Sequence, residues 1–183
     1  MSKALDALKK TLEEMERKTL QVGFFDTAHY PDGTPVAYVA SIQEFGWGPI
    51  PPRPFMRVAQ AQNKEKWLNN LARASKAAIN GKIEFLHALE QVGKVAAGDV
   101  QKAIKAVTAP PLSPLTLLLR KHKKGADPEK IGGKLVGQYH KQANFMGPQP
   151  KQKKADTLAG VSTKPLVDDG LMIQSVTSAV VDK

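Results

Sequence analysis

Residues 42–57 read I-Q-E-F-G-W-G-P-I-P-P-R-P-F-M-R, and no other stretch limits the fold so sharply. Sixteen positions hold four prolines, two glycines, three aromatics and two arginines. Proline fixes its own φ and pushes the residue before it toward extended backbone. Residues 47–54 therefore cannot be helix, and they lack the amide donors of a central strand. The segment must be a stiff, extended connector. It follows an apolar, periodic run and precedes a long helical pattern. Such a connector fixes where Glu44, Phe45, Trp47, Pro52, Arg53, Pro54, Phe55 and Arg57 point. The plainest role for its aromatics is to plug the core. The pairing of Glu44-Phe45-Gly46 with Pro52-Arg53-Pro54-Phe55 adds a second role, an interface.

The remaining elements fall on either side. Leu5, Leu8, Leu12 and Met15 make one narrow apolar stripe of a helix over residues 3–17, with Ser2 as N-cap. A stripe of this width packs on one partner, either the domain's own sheet or a neighbouring subunit. Residues 19–26 alternate as a strand, and Pro31-Asp32-Gly33 is a turn. Residues 35–45 fit either a strand or a short helix from Pro35; Ala and Glu near the end favour the helix. A long helix is expected over 55–79, with Phe55, Val58, Ala59, Trp67, Leu71, Ala74 and Ala78 along one side. Asn80-Gly81 breaks it. A second helix is expected over 82–107, with Ile83, Leu86, Leu89, Val92, Ala96, Val100, Ala103, Ile104 and Val107 inside. Gly93 and Gly98 weaken that helix by about 1 kcal/mol each against Ala, and permit close approach of a neighbour. Ser113-Pro114 starts a short helix to about Lys121. Residues 171–181 alternate as a terminal strand, suited to pair with 19–26.

Charge is concentrated. Of the net +10, residues 120–164 contribute +8, from eleven Lys or Arg against three acids. The 122–160 segment is poor in large apolar residues and rich in Lys, Gly, Gln and Pro, the composition of an extended arm. Its cations Lys121, Lys123 and Lys124, with Arg120 beside them, and then Lys151, Lys153 and Lys154, suit phosphate or an acidic protein surface. Tyr139 and Phe145 are too few to make a stacking platform for bases, and no sequence-reading motif is visible. Non-specific DNA contact, docking on an acidic ring and a solvated charged loop all remain open.

The chemistry of an enzyme is hard to find. No phosphate-binding glycine loop, dinucleotide fingerprint or zinc-protease helix is present. Cysteine is absent, which excludes disulfides and thiolate metal sites and suits a reducing cytoplasm. No apolar run reaches the roughly 20 residues of a membrane helix, and the charged N-terminus does not read as a secretory signal. His29 with Asp26 and Asp32 fits a solvated turn better than a metal site. Ser113 or Ser162 beside His122 lacks a third group and an oxyanion hole. Glu44, the one acid in an apolar stretch, could be drawn as a general base with Asp168. An ion pair with Arg53 or Arg57 is the better account. No catalytic residue, cofactor or metal is expected.

The blocks V-G-F-F, Y-P-D-G-T-P-V-A, Q-E-F-G and I-P-P-R-P-F-M-R resemble the neck or tail-completion proteins of long-tailed bacteriophages. So does the later block K-P-L-V-D-D-G-L, similar to that family's K-P-L-x-D-T-G-x-L, with Asp169 where the family more often has Thr. The two regions cover residues 22–57 and 164–173. The resemblance also favours helix over 35–45. It implies a structural virion protein, made in the bacterial host cytoplasm and placed at the head–tail joint. It would form a ring, hexameric in the family, around the DNA channel. Its partners would be other copies of itself, connector or stopper proteins, tail terminator or tail-tube proteins, and channel DNA without sequence specificity. A non-specific nucleic-acid-binding protein is the rival, and a small hydrolase using Glu44 or the His29 loop a weaker one. The expected architecture is α+β: a small antiparallel sheet packed against long helices, with a basic extended arm. Residues 1–121 and 161–183 would form one domain, with 122–160 as the arm.

Overall fold

A computed structural model describes residues 3–117, 120, 162–168 and 170–183. The chain divides into two compact units, Met1–Val107 with Gly170–Lys183, and Thr108–Asp169. The arm expected at 122–160 lies outside the described residues.

The first unit is α+β. Its elements are α1 (Lys3–Arg17), β1 (Lys18–Phe24), α2 (Val36–Phe45), α3 (Met56–Ile79), α4 (Phe85–Ala106), a helical turn at Leu171–Gln174 and β2 (Val176–Asp182). The two strands pair antiparallel, from Lys18 opposite Asp182 to Phe24 opposite Val176. Lys18 closes one end of the ladder with an ion pair to Asp182 at 3.0 Å. The sheet lies across α4, and α3 packs along α4. Two strands alone bury too little to be stable in water, so α4 supplies the floor.

The sequence of α4 explains why it is the centre. Phe85, Leu89, Val92, Ala96, Val100 and Ile104 recur at spacings of 3 and 4 and are buried, with Ala88 beside Leu89 on the same face. Gly93 sits where the sheet comes closest. A Cβ there would stand 2.7 Å from the Ser178 Cβ and 2.8 Å from the Leu20 Cδ1, so no larger residue fits without movement. Gly98 meets nothing within 4 Å, so the close approach expected at both glycines occurs at one.

Several boundaries and faces differ from expectation. Residues 171–181 do not form one strand. Gly170, at φ +83°, starts a helical turn instead, with Gln174 and Ser175 amides donating to the Gly170 and Leu171 carbonyls. The Ser175 hydroxyl also donates to the Leu171 carbonyl at 2.8 Å. The turn buries Met172, and Met172 and Val176, four apart, both point inward. Val58 and Leu86, expected inside, are exposed. Each stands next to the true inward direction of its helix, which Ala59 and Phe85 occupy. On α1, Met15 packs against the core cluster of Ala78, Phe85 and Leu89. Leu5 and Leu12 of the same stripe stay exposed.

In the second unit, Ser113 acts as the expected N-cap: its hydroxyl accepts from the Thr116 amide at 3.2 Å, and residues 114–117 are helical. Arg120 gathers the block at 162–168. Its guanidinium donates to the carbonyls of Ser162, Lys164, Pro165 and Val167 at 2.9–3.2 Å, and Nε lies 3.7 Å from the Asp168 carboxylate.

Candidate functional site

The connector at residues 46–55 leaves α2 and leads into α3, and Glu44 holds both ends together. Val36, Ala40 and Glu44 form the buried face of α2 at spacings of four. Glu44 is 3% exposed. Its Oε2 accepts from the amides of Phe55 (2.7 Å) and Met56 (2.9 Å). Its Oε1 accepts from the Arg57 amide (3.2 Å) and Arg57 Nε (2.9 Å). Arg57 also donates through Nη2 to the Glu44 carbonyl at 2.9 Å. One carboxylate thus serves the first amides of α3, which have no partner within their own helix. Its negative charge also suits the positive end of the helix dipole. Burial acts to raise the Glu44 pKa; the bonds from the Arg57 side chain and the three amides outweigh it, and the pKa lies below its ordinary value.

Sequence left the partner open between Arg53 and Arg57, and the structure selects Arg57. Arg53 turns the other way and is buried. Its amide donates to the Gln43 carbonyl at 2.6 Å and its Nη1 to Gln43 Oε1 at 2.9 Å. Phe55 is 1% exposed and meets Phe24 edge-on with ring centroids 6.0 Å apart. Glu44, Arg53 and Phe55 are therefore internal, and their side chains cannot reach a neighbour as an interface would require. Their role is to fix the connector.

What they fix is exposed. Gly46 ends α2 at φ +79°, and a Cβ there would stand 3.0 Å from the Ile50 carbonyl oxygen and from Pro52. Only glycine lets the chain fold back so tightly. Trp47 and Ile50 then exchange two backbone hydrogen bonds, at 3.0 and 2.9 Å, across Gly48-Pro49. Gly48, at φ +53°, takes the first central position, which must be left-handed in a type II′ turn. The turn holds Trp47 67% exposed beside Phe45, 68% exposed, with Tyr38 also open to solvent on α2. The Arg57 guanidinium lies 5.2 Å from the Phe45 ring centre, in cation–π range. Pro52 is exposed and Pro54 half-buried along the same connector. This is an exposed aromatic ridge on a preordered support.

A second feature of the first unit is a cleft of about 760 Å³ between β1, α3 and α4. Leu20, Val22, Trp67, Leu68, Leu71 and Val92 line it, with Lys18 and Lys64 among its polar lining residues. Beside it lies a contact that the sequence reading missed. Asp99, buried on α4, accepts from Lys66 Nζ (2.6 Å) and Trp67 Nε1 (2.9 Å) of α3 through Oδ2. Lys102 Nζ approaches Oδ1 at 3.5 Å. Burial acts to raise the Asp99 pKa, and the bonds from Lys66 and Trp67 with the charges of Lys66 and Lys102 lower it overall. The signal was an acid set between Ala96 and Val100 on an apolar helix face.

Other sequence candidates lie elsewhere. His29 Nε2 is 3.8 Å from Asp26 Oδ1, on an open loop, and Asp32 accepts the Thr34 amide. Among the described residues no His, Asp and Glu cluster has the arrangement of a metal site, and no helix is long and apolar enough to cross a membrane. Arg120, expected to meet DNA or an acidic partner, is committed to the 162–168 carbonyls and is 11% exposed. Lys121, Lys123, Lys124, Lys151, Lys153 and Lys154 lie outside the described residues.

Compared with known proteins, the chain matches no family model, no curated protein and no solved structure.

Proposed function

We propose that this chain is a structural virion protein of a tailed-phage neck, joining tail to head as one subunit of a ring around the DNA channel. Its neighbours would be connector or stopper and tail terminator or tail-tube proteins, with channel DNA passing unread. The mechanism is contact geometry. The observation that carries the reading is the Glu44 clamp: the residues that resemble the phage family's motif are used to fix an exposed aromatic turn. Both Glu44 oxygens accept hydrogen bonds at the start of α3, which suits a support and not a general base. An exposed Trp on a rigid turn, with an exposed Phe beside it at the end of α2, suits an interface, because preordered groups lose little entropy on docking and aromatic anchors dominate interface energy. The interface set thereby narrows to Phe45, Trp47, Pro52, Pro54 and Arg57.

Deletion of the gene from its phage tests the reading. The expected particles are filled heads and separate tails that join when the chain is supplied. Joined, infectious particles made without the chain would overturn it.

The concentration of +8 charge in residues 120–164 favours a second reading, a non-specific nucleic-acid-binding protein. Retention of DNA by the purified chain that falls steeply with salt, together with intact head–tail joining in its absence, would establish that reading instead.

A further inference from the structure

We infer that the outer face of α3 and α4 binds duplex DNA through its phosphate backbone. The proposal does not rest on the neck reading, and it names a surface that reading leaves unused. Two rows of side chains build it. On α3, Gln62, Lys66, Asn69 and Arg73 follow at spacings of 4, 3 and 4, and all are exposed. On α4, Gln91, Lys94, Gly98, Lys102 and Lys105 follow at spacings of 3, 4, 4 and 3, on the face turned away from the buried positions. Asp99 ties the rows together: its Oδ2 accepts from Lys66 of one row at 2.6 Å, and its Oδ1 lies 3.5 Å from Lys102 of the other.

The charge is local to this face and owes nothing to residues 120–164. Residues 62–73 and 91–105 hold six Lys or Arg against two acids, Glu65 and Asp99. Asp99 is buried and already answered by Lys66 and Lys102. Arg73, Lys94 and Lys105 make no ion pair among the described residues. Glu90 stands at the near end of the α4 row and faces His87 at 3.8 Å. Exposed cations interleaved with amides suit phosphate, because Lys, Arg, Asn and Gln are the side chains that contact phosphate oxygens. Neither row holds an aromatic or a large apolar residue, the anchors that a protein partner would use. The same lack removes the stacking platform that single strands use. Lys94 to Lys105 covers about 16 Å of helix at 1.5 Å per residue. A duplex carries one charge per about 1.7 Å of its axis, so phosphates come within reach of the rows whatever the base sequence. A Cβ at Gly98 would meet nothing within 4 Å, so the middle of the α4 row is unobstructed.

The test compares two triple variants of the full chain that lose the same charge and keep residues 120–164 intact. Arg73→Gln with Lys94→Gln and Lys105→Gln strips the rows. Lys9→Gln with Lys64→Gln and Lys82→Gln strips three exposed cations elsewhere, on α1, on the cleft side of α3 and in the turn between α3 and α4. Binding to a random-sequence duplex of about three helical turns is titrated between about 50 and 200 mM salt. The row variant should bind at least tenfold more weakly at about 100 mM salt, and its salt slope should fall by roughly 2–3, near 0.9 for each lost contact. The control should keep the slope of the unmodified chain. Acetylation footprinting of the unmodified chain needs no variant: the duplex should protect Lys94, Lys102 and Lys105 and leave Lys9 and Lys82 reactive. A control that loses as much as the row variant, an unchanged slope in the row variant, or equal protection of all five lysines would each overturn the inference. So would poly-glutamate that binds as tightly as the duplex and protects the same lysines, which would make an acidic protein the partner.

Discussion

Glu44 shows how one side chain connects sequence to architecture. A carboxylate inside an apolar stretch must find donors, and here it finds four, three of them backbone amides at the start of α3. Its need for a partner was legible in the sequence. Its choice of Arg57 over Arg53 was not, because that depends on how Gly46 folds the chain back. Glu44→Gln replaces one acceptor oxygen by a donor that faces Arg57. It should cost about 2 kcal/mol, in the range of a lost helix cap and a lost charged hydrogen bond, read as a lower urea midpoint with unchanged slope. Acid should reveal the same groups. The pKa values of Glu44 and Asp99 are depressed in the fold, from ordinary values of 4.5 and 3.8. The unfolded chain therefore binds protons first as pH falls. The stability these groups contribute is complete well above 4.5 and declines as pH drops below those values and through the folded pKa values. A Glu44→Gln, Asp99→Asn chain should lose less stability between pH 7 and pH 3 than the unmodified chain. Equal losses would contradict the assignment.

At the scale of elements, helical periodicity placed α1, α3 and α4 nearly as they stand, because long amphipathic repeats are strong local signals. The C-terminal segment was misread because alternation in Leu171, Ile173 and Ser175 looks like strand. The deciding event is a left-handed glycine, Gly170, that starts a helical turn. The two glycines of α4 were indistinguishable in sequence, and the distinction lies in what packs against them. They give opposite predictions. Gly98→Ala meets open space and should stabilise by roughly 0.5–1 kcal/mol through helix propensity. Gly93→Ala places a methyl within 2.7 Å of Ser178 and should destabilise, since overpacking costs about 1–3 kcal/mol and outweighs the propensity gain. Thermal melting of both variants settles the pair; a shift of the same sign in each would show that the α4–sheet approach is looser than described.

For the whole molecule, the α+β class and the pairing of the first strand with the last could be read from pattern. The candidate site could be read only in part. The stretch at 42–57 announced a rigid connector, but not which of its residues would be inside. Burial depends on distant elements: Phe55 is internal because Phe24 of β1 stands against it. The cleft was invisible in the sequence, because it arises where three elements meet; Asp99 left a signal, an acid on an apolar helix face, but its partners Lys66 and Trp67 lie on another helix.

On the proposed neck reading, the connector divides into residues that hold and residues that would dock. Phe55→Ala should destabilise the fold by about 3–5 kcal/mol, the cost of truncating a buried aromatic. Phe45→Ala with Trp47→Ala should leave melting nearly unchanged, because both side chains are already in water. The decisive measurement is complementation of the gene-deleted phage by the Phe45→Ala, Trp47→Ala chain, with the particles examined by electron microscopy. The expected result is a folded protein with unjoined heads and tails. Joined, infectious virions from that chain would show that the turn is only a loop.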